Sequence, residues 1–153
     1  MWKLNQRLLT VVMNSCAERF EALDLETKEF FVLDEVDACR YPAELAAKLM
    51  LPKASISMYL RSLVGKGLVR REIDATDLRR HRLSTTPVGE EVLRQALKAL
   101  ADAFSVLLER LEESDRAALR RILLTLLDSE ASEPPHAPSA AASTPPSSPQ
   151  RSA

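Results

Sequence analysis

The sequence predicts a mainly α-helical fold carrying one small β-hairpin, and three observations predict it. Apolar residues recur at three- and four-residue steps along most of the chain from Leu4 to Leu127. Two short strand-like runs, 69–73 and 80–84, flank a turn-rich stretch at 74–77. The segment 129–153 holds six Pro, seven Ser and six Ala. Such a composition cannot bury enough apolar area to offset its ordering entropy. The expected organisation is therefore a folded domain over 1–128 and a disordered tail over 129–153.

The elements follow in order. Leu4, Leu8, Val11, Val12, Cys16, Phe20 and Leu23 form the apolar stripe of a first helix over about 2–23. Phe30, Leu33 and Val36 mark a second helix. Pro42 suits the first turn of a short third helix, which turns Leu45, Ala46 and Leu49 inward. A fourth helix over 53–66 gathers Ile56, Leu60 and Leu63 on one face with Tyr59 on its flank, and Gly67 ends it. At about 100° per residue, Ala54, Met58 and Arg61 point the opposite way, with Ser55 and Ser57 between. The hairpin comes next. Thr86 then caps a fifth helix that opens at Pro87 and can run to about Leu111. Its Leu93, Leu97, Leu100, Phe104, Leu107 and Leu111 make a heptad seam, read either as a pairing surface or as an intrachain core. A last helix after Ser114 is expected to bury Leu119, Ile122, Leu123 and Leu126.

Six helices with a hairpin after the fourth describe a winged helix-turn-helix with N- and C-terminal dimerisation helices. The third and fourth helices form the helix-turn-helix and the hairpin forms the wing. The DNA-binding part is expected over about 26–84, and the dimerisation helices over about 2–23 and 87–128.

Charge supports this division. The formal net charge is −1, but residues 40–82 carry 10 basic and 4 acidic side chains against 4 and 8 in residues 1–39. A positive band inside a slightly acidic chain reads as a surface for an anionic partner. The second helix of such a motif fits the major groove, with its side chains against base edges and phosphates. Lys53, Ala54, Ser55, Ser57, Met58 and Arg61 are thus the expected recognition-helix contacts. Arg79, Arg80 and Arg82 crowd the hairpin, where an arginine can enter a narrow minor groove. Strand alternation would send Arg80 and Arg82 to one face, toward phosphates.

Other chemistries are poorly supplied. Cys16 and Cys39 make neither a disulfide framework nor a metal cluster, and His81 and His136 are the only histidines. A nucleophilic dyad would have to recruit His81 from a run of arginines, so no enzyme, metal or other cofactor is expected. The apolar run 8–13 is six residues broken by Thr10, too short for an export signal. No stretch approaches the roughly 18–20 apolar residues of a membrane span. A cytoplasmic protein with reduced thiols and no membrane partner is expected.

From Leu4 to Leu127 the chain resembles the MarR (multiple antibiotic resistance regulator) family of bacterial winged-helix transcription factors. The residues that carry the resemblance are AELAAKL at 43–49, ASISMYLRSLVGKGLVRR at 54–71, Asp77 and Arg79 as Asp-x-Arg, and LSTTPVG at 83–89 with Thr86 and Gly89. The resemblance implies that Asp77 braces Arg79, which enters the minor groove. It implies a homodimer on double-stranded DNA, a repressor on a palindromic operator, and release by a small aromatic or phenolic effector. Phe31, with Trp2 or Met13, is placed to line such an effector cleft. Phe31 serves equally as a second-side core residue, the reading we prefer. Some relatives sense peroxides through a cysteine early in the first helix, but Cys16 is too far along it and reads as a small buried hydrophobe.

Three positions depart from the family pattern. Met50 stands where the turn usually has glycine. Pro52 stands where the recognition-helix cap is often Ser, at a cost of about 1 kcal/mol. Tyr41 replaces the usual Ser or Thr before the third helix. The rival reading is a winged-helix module for protein–protein interaction without specific DNA binding.

Overall fold

A computed structural model describes residues 1–74 and 80–130. Its elements are α1 (Trp2–Ser15), α2 (Ala17–Ala22), α3 (Thr27–Glu35), α4 (Pro42–Lys48), α5 (Lys53–Gly65), β1 (Val69–Ile73), β2 (His81–Thr85), α6 (Pro87–Leu108) and α7 (Glu113–Glu130). They fall into two compact units, 1–110 and 111 onward. Mainly helical architecture with a two-stranded antiparallel hairpin after the fifth helix is the winged-helix arrangement expected. The Pro/Ser/Ala-rich sequence beyond 130 lies outside the described residues.

The expected first helix is two helices. The chain breaks at Cys16 (φ −99°, ψ −4°), whose amide turns back to Met13 O at 3.1 Å. Apolar spacing runs through the break, so periodicity does not register it. The Cys16 thiol is buried and donates to Ala99 O of α6 at 3.3 Å. Burial, with Asp102 nearby, pushes that thiol's pKa up.

The core of the first unit lies between α3, α4, α5 and α6. Phe30, Leu33 and Val36 are buried there as the stripe requires, together with Val32, Leu45, Ile56, Leu60 and Leu63. Phe20 meets Phe30 edge-on at 5.4 Å. The α6 seam is divided. Leu93 and Leu100 pack on the core with Ala96, Ala99 and Ala103, whereas Leu97 is exposed. Small alanines let α6 approach closely, and Ala96 is fully buried although no hydrophobic stripe marks it.

The hairpin register pairs Val69 with Thr85 and Ile73 with His81. The second strand therefore starts one residue later than the run 80–84, and Arg80 precedes it. On its other edge, Leu83 N donates to Arg40 O at 2.7 Å and Thr85 N to Asp37 Oδ1 at 3.1 Å. These bonds hold the wing against the segment between α3 and α4.

In the second unit, α7 exposes Ile122, Leu123 and Leu126. The expectation that this chain buries them is corrected, because an amphipathic stripe signals a buried face without saying whose surface covers it.

Met50, in the turn between α4 and α5, has φ +50°. A left-handed L-residue costs about 1–2 kcal/mol, partly offset by the extra unfolded-state entropy of glycine. The Met50 side chain is 89% exposed, so its removal loses no packing. Met50→Gly is expected to stabilise the fold by about 0.5–1 kcal/mol, read from a raised urea midpoint at unchanged m-value.

Candidate nucleic-acid interface

Helix α5 presents two chemically distinct faces. Ile56, Tyr59, Leu60 and Leu63 are buried, which fixes the rotation of the helix about its axis. That rotation leaves Lys53, Ala54, Ser57, Met58 and Arg61 exposed, while Ser55 is half-buried. Pro52 is the N-cap and provides no side-chain bond, so the first turn of α5 has no side-chain cap. Gly67, at φ +72°, carries the chain out of α5 into β1 in the left-handed conformation that glycine favours.

The far end of α5 is anchored by charge. Lys66 Nζ donates to Asp24 O at 2.6 Å and to Glu29 Oε2 at 2.8 Å, and Glu29 is buried. Burial alone would raise the Glu29 pKa. Hydrogen bonds from Lys66, Ser62 and the Glu26 amide outweigh it and bring the pKa below its ordinary value.

Ion pairing divides the cations of the positive band. Lys48 pairs with Glu35, Lys66 with Glu29 and Arg70 with Glu72, each at 2.8 Å. Lys53, Arg61, Arg71 and Arg82 are exposed and make no ion pair among the described residues. Arg71 was missed by sequence reading. It lies beside Ser57 and Arg61 around a groove of 370 Å³ that Pro42, Leu60 and Val64 complete. Strand alternation was the available signal, because it puts the paired Arg70 and Glu72 on one face and Arg71 on the other.

The wing arginines have different surroundings. Asp77 and Arg79 lie outside the described residues. Arg82 is exposed on β2, opposite Glu72. The guanidinium of Arg80 sits 3.7 Å over the ring of Tyr41. The Tyr41 hydroxyl donates to Asp74 Oδ2, and Asp74 N donates to Arg80 O at 2.9 Å. That hydroxyl bond, followed by burial and the Asp74 charge, raises the Tyr41 pKa against the opposing Arg80 and Arg82.

The proposed effector residues are spread out. Trp2 is exposed at the start of α1, and Met13 packs on the core about 16 Å further along the same helix. Phe31 is exposed and meets Phe30 edge-on at 5.2 Å. None of the three lines the reading-head groove or the 440 Å³ cavity between α1 and α6. Among the described residues, no group of His, Cys, Asp and Glu could hold a metal ion, and no helix is long and apolar enough to cross a membrane.

Residues 30–80, from α3 through the hairpin, match the MarR family model. No curated protein matches the chain by sequence. Solved structures match across the fold. MarR from E. coli aligns at 24% identity with a TM-score of 0.72, covering 83% of this chain and 96% of that one. A single-residue mutant of S. aureus MepR, bound to an oligodeoxyribonucleotide, aligns at 21% with a TM-score of 0.61, covering 85% and 98%. YusO from Bacillus subtilis aligns at 19% with a TM-score of 0.68, covering 83% and 92%. At these identities the structural likeness is one of fold: the chain has the winged-helix fold of MarR, and the family model matches its part from α3 through the hairpin.

Proposed function

We propose that the chain is a homodimeric repressor that reads a palindromic operator. In this reading α5 lies in the major groove, with Lys53, Ala54, Ser57, Met58 and Arg61 toward the DNA and Ser55 at the edge of the contact. Arg71 and Arg82 meet phosphates, and the wing residues Asp77 and Arg79 serve the minor groove. The observation that carries the reading is the set of exposed cations on α5 and the hairpin that make no ion pair among the described residues. A cluster of exposed cations on one helix and the adjoining hairpin suits a polyanion. A MepR mutant of the same fold is bound to an oligodeoxyribonucleotide, which supports DNA as the partner by analogy of fold.

The dimer rests on apolar surface that one chain leaves uncovered. Trp2, Leu4 and Leu9 of α1 are exposed, as are Leu124 and Leu127 of α7. Two copies related by a two-fold axis would read half-sites about 34–36 Å apart. Release by a small effector completes the proposal, with Phe31 as the candidate wall of its cleft, and the cytoplasm as the site of action.

Retention of sheared genomic DNA by the purified protein tests the reading. The expected result is an enriched palindrome with half-sites one helical turn apart. Arg61→Ala should cost about 1–3 kcal/mol at one base position and, if it also meets a phosphate, lower the salt slope by about one. Affinity that barely changes between about 50 and 200 mM salt would instead favour a protein-interaction module.

A further inference from the structure

The junction of wing and helix-turn-helix contains a cluster that the DNA-facing set does not explain. Tyr41 is the N-cap residue of α4, yet its side chain makes no capping bond. Its hydroxyl reaches Asp74 and its ring carries Arg80. Those two residues lie just beyond the last paired rung, Ile73 with His81, and are joined by the Asp74 N to Arg80 O bond. One aromatic side chain therefore grips both legs of the hairpin where the tip departs. The backbone beside it adds a third tie, because Arg40 O accepts from Leu83 N.

We propose that Tyr41 is a positioning residue for DNA binding, which fixes the base of the wing against the start of α4, and that Arg80 belongs to this strut rather than to the phosphate contacts. The geometry distinguishes Arg80 from Arg82. Both side chains are exposed, but Arg82 occupies a paired strand position opposite Glu72. Arg80 precedes the strand, and its guanidinium stands over the ring, where cation–π attraction holds it. A Ser or Thr at position 41 could cap α4 but could not span to both legs. Tyr41 thus gives up a helix cap and gains a fixed wing. The assignment rests on the DNA-binding reading above, so its test has one arm that needs no DNA.

In that arm, hydrogen exchange is followed at the Asp74 and Leu83 amides of the full chain. Losing a hydrogen bond to a charged group should speed exchange about tenfold in Tyr41→Phe. Losing the cation–π contact should speed it about threefold in Arg80→Ala. Both variants should keep the wild-type melting temperature within a few degrees. In the DNA arm, both variants should bind the operator more weakly. Arg80→Ala should retain the wild-type slope of log affinity against log salt, whereas loss of a phosphate contact lowers that slope by about one. A lowered slope would return Arg80 to the DNA contacts and overturn its place in the strut. Unchanged exchange in Tyr41→Phe and in Tyr41→Ala would overturn the strut itself. Wild-type protein without salt-dependent binding would defeat the DNA reading, and with it the role in binding. The exchange data would still decide whether Tyr41 holds the wing.

Discussion

Gly89→Ala should destabilise the fold by at least about 3 kcal/mol, although the same change in most helices is favourable by about 1 kcal/mol. The inverted sign comes from the close approach of α6 to the exit of α5. A Cβ on Gly89 would overlap Leu68 O and stand 2.9 Å from both Leu68 C and Thr85 Cγ2. Two of those three atoms are backbone, which no rotamer change can move. Leu68 O is also held in place, because it accepts from Thr86 N at 3.0 Å. Thermal unfolding should show a midpoint lowered by about 10 °C. A midpoint at or above that of the wild type would mean that α6 does not approach Leu68 as described.

Lys66→Met should cost about 3 kcal/mol at neutral pH, because it leaves the buried Glu29 carboxylate without its cation while retaining the aliphatic stem. The pH dependence separates this cause from lost packing. In the wild type the Glu29 pKa is lowered, so its contribution is present above the unfolded value and lost as pH falls through the folded one. In the variant burial meets less opposition, so the folded pKa should rise above the unfolded value. Its penalty is then largest at neutral pH and is relieved as pH falls through the raised pKa. The gap between the two proteins in urea unfolding should therefore narrow from pH 7 to about pH 4. A constant gap would assign the loss to packing.

The parts of this fold legible in the sequence are those set by local chemistry. Pro42, Gly67 and the Thr86–Pro87 pair fix helix ends through their own backbone preferences, and the structure uses each as expected; Thr86 Oγ1 accepts from Gly89 N at 3.0 Å. The buried stripe of α5 was equally legible, and with it the exposed face that carries Lys53 and Arg61. What escaped depends on partners distant in the chain. The break at Cys16 falls where its thiol bonds Ala99, which lies 83 positions later. The inward rotation of α6 depends on alanines whose hydropathy does not stand out. Arg80 resembled its neighbours in a run of arginines, and only folding sets it on Tyr41. The pairing of Lys66 with Glu29 likewise distinguishes a structural cation from the free ones, although a count of charge treats them alike.

The bond from Thr86 to Leu68 O has a mechanical consequence. Helix α6 spans 22 residues, about 33 Å, and its N-cap is fastened directly to Leu68, the residue that leads out of α5. The bond leaves little slack between the long rod and the exit of α5. A sideways shift of about 3 Å at the far end of such a rod corresponds to a tilt of about 5° at its root. A displacement of that distant end would thus reach α5 as a small change of angle, transmitted by leverage.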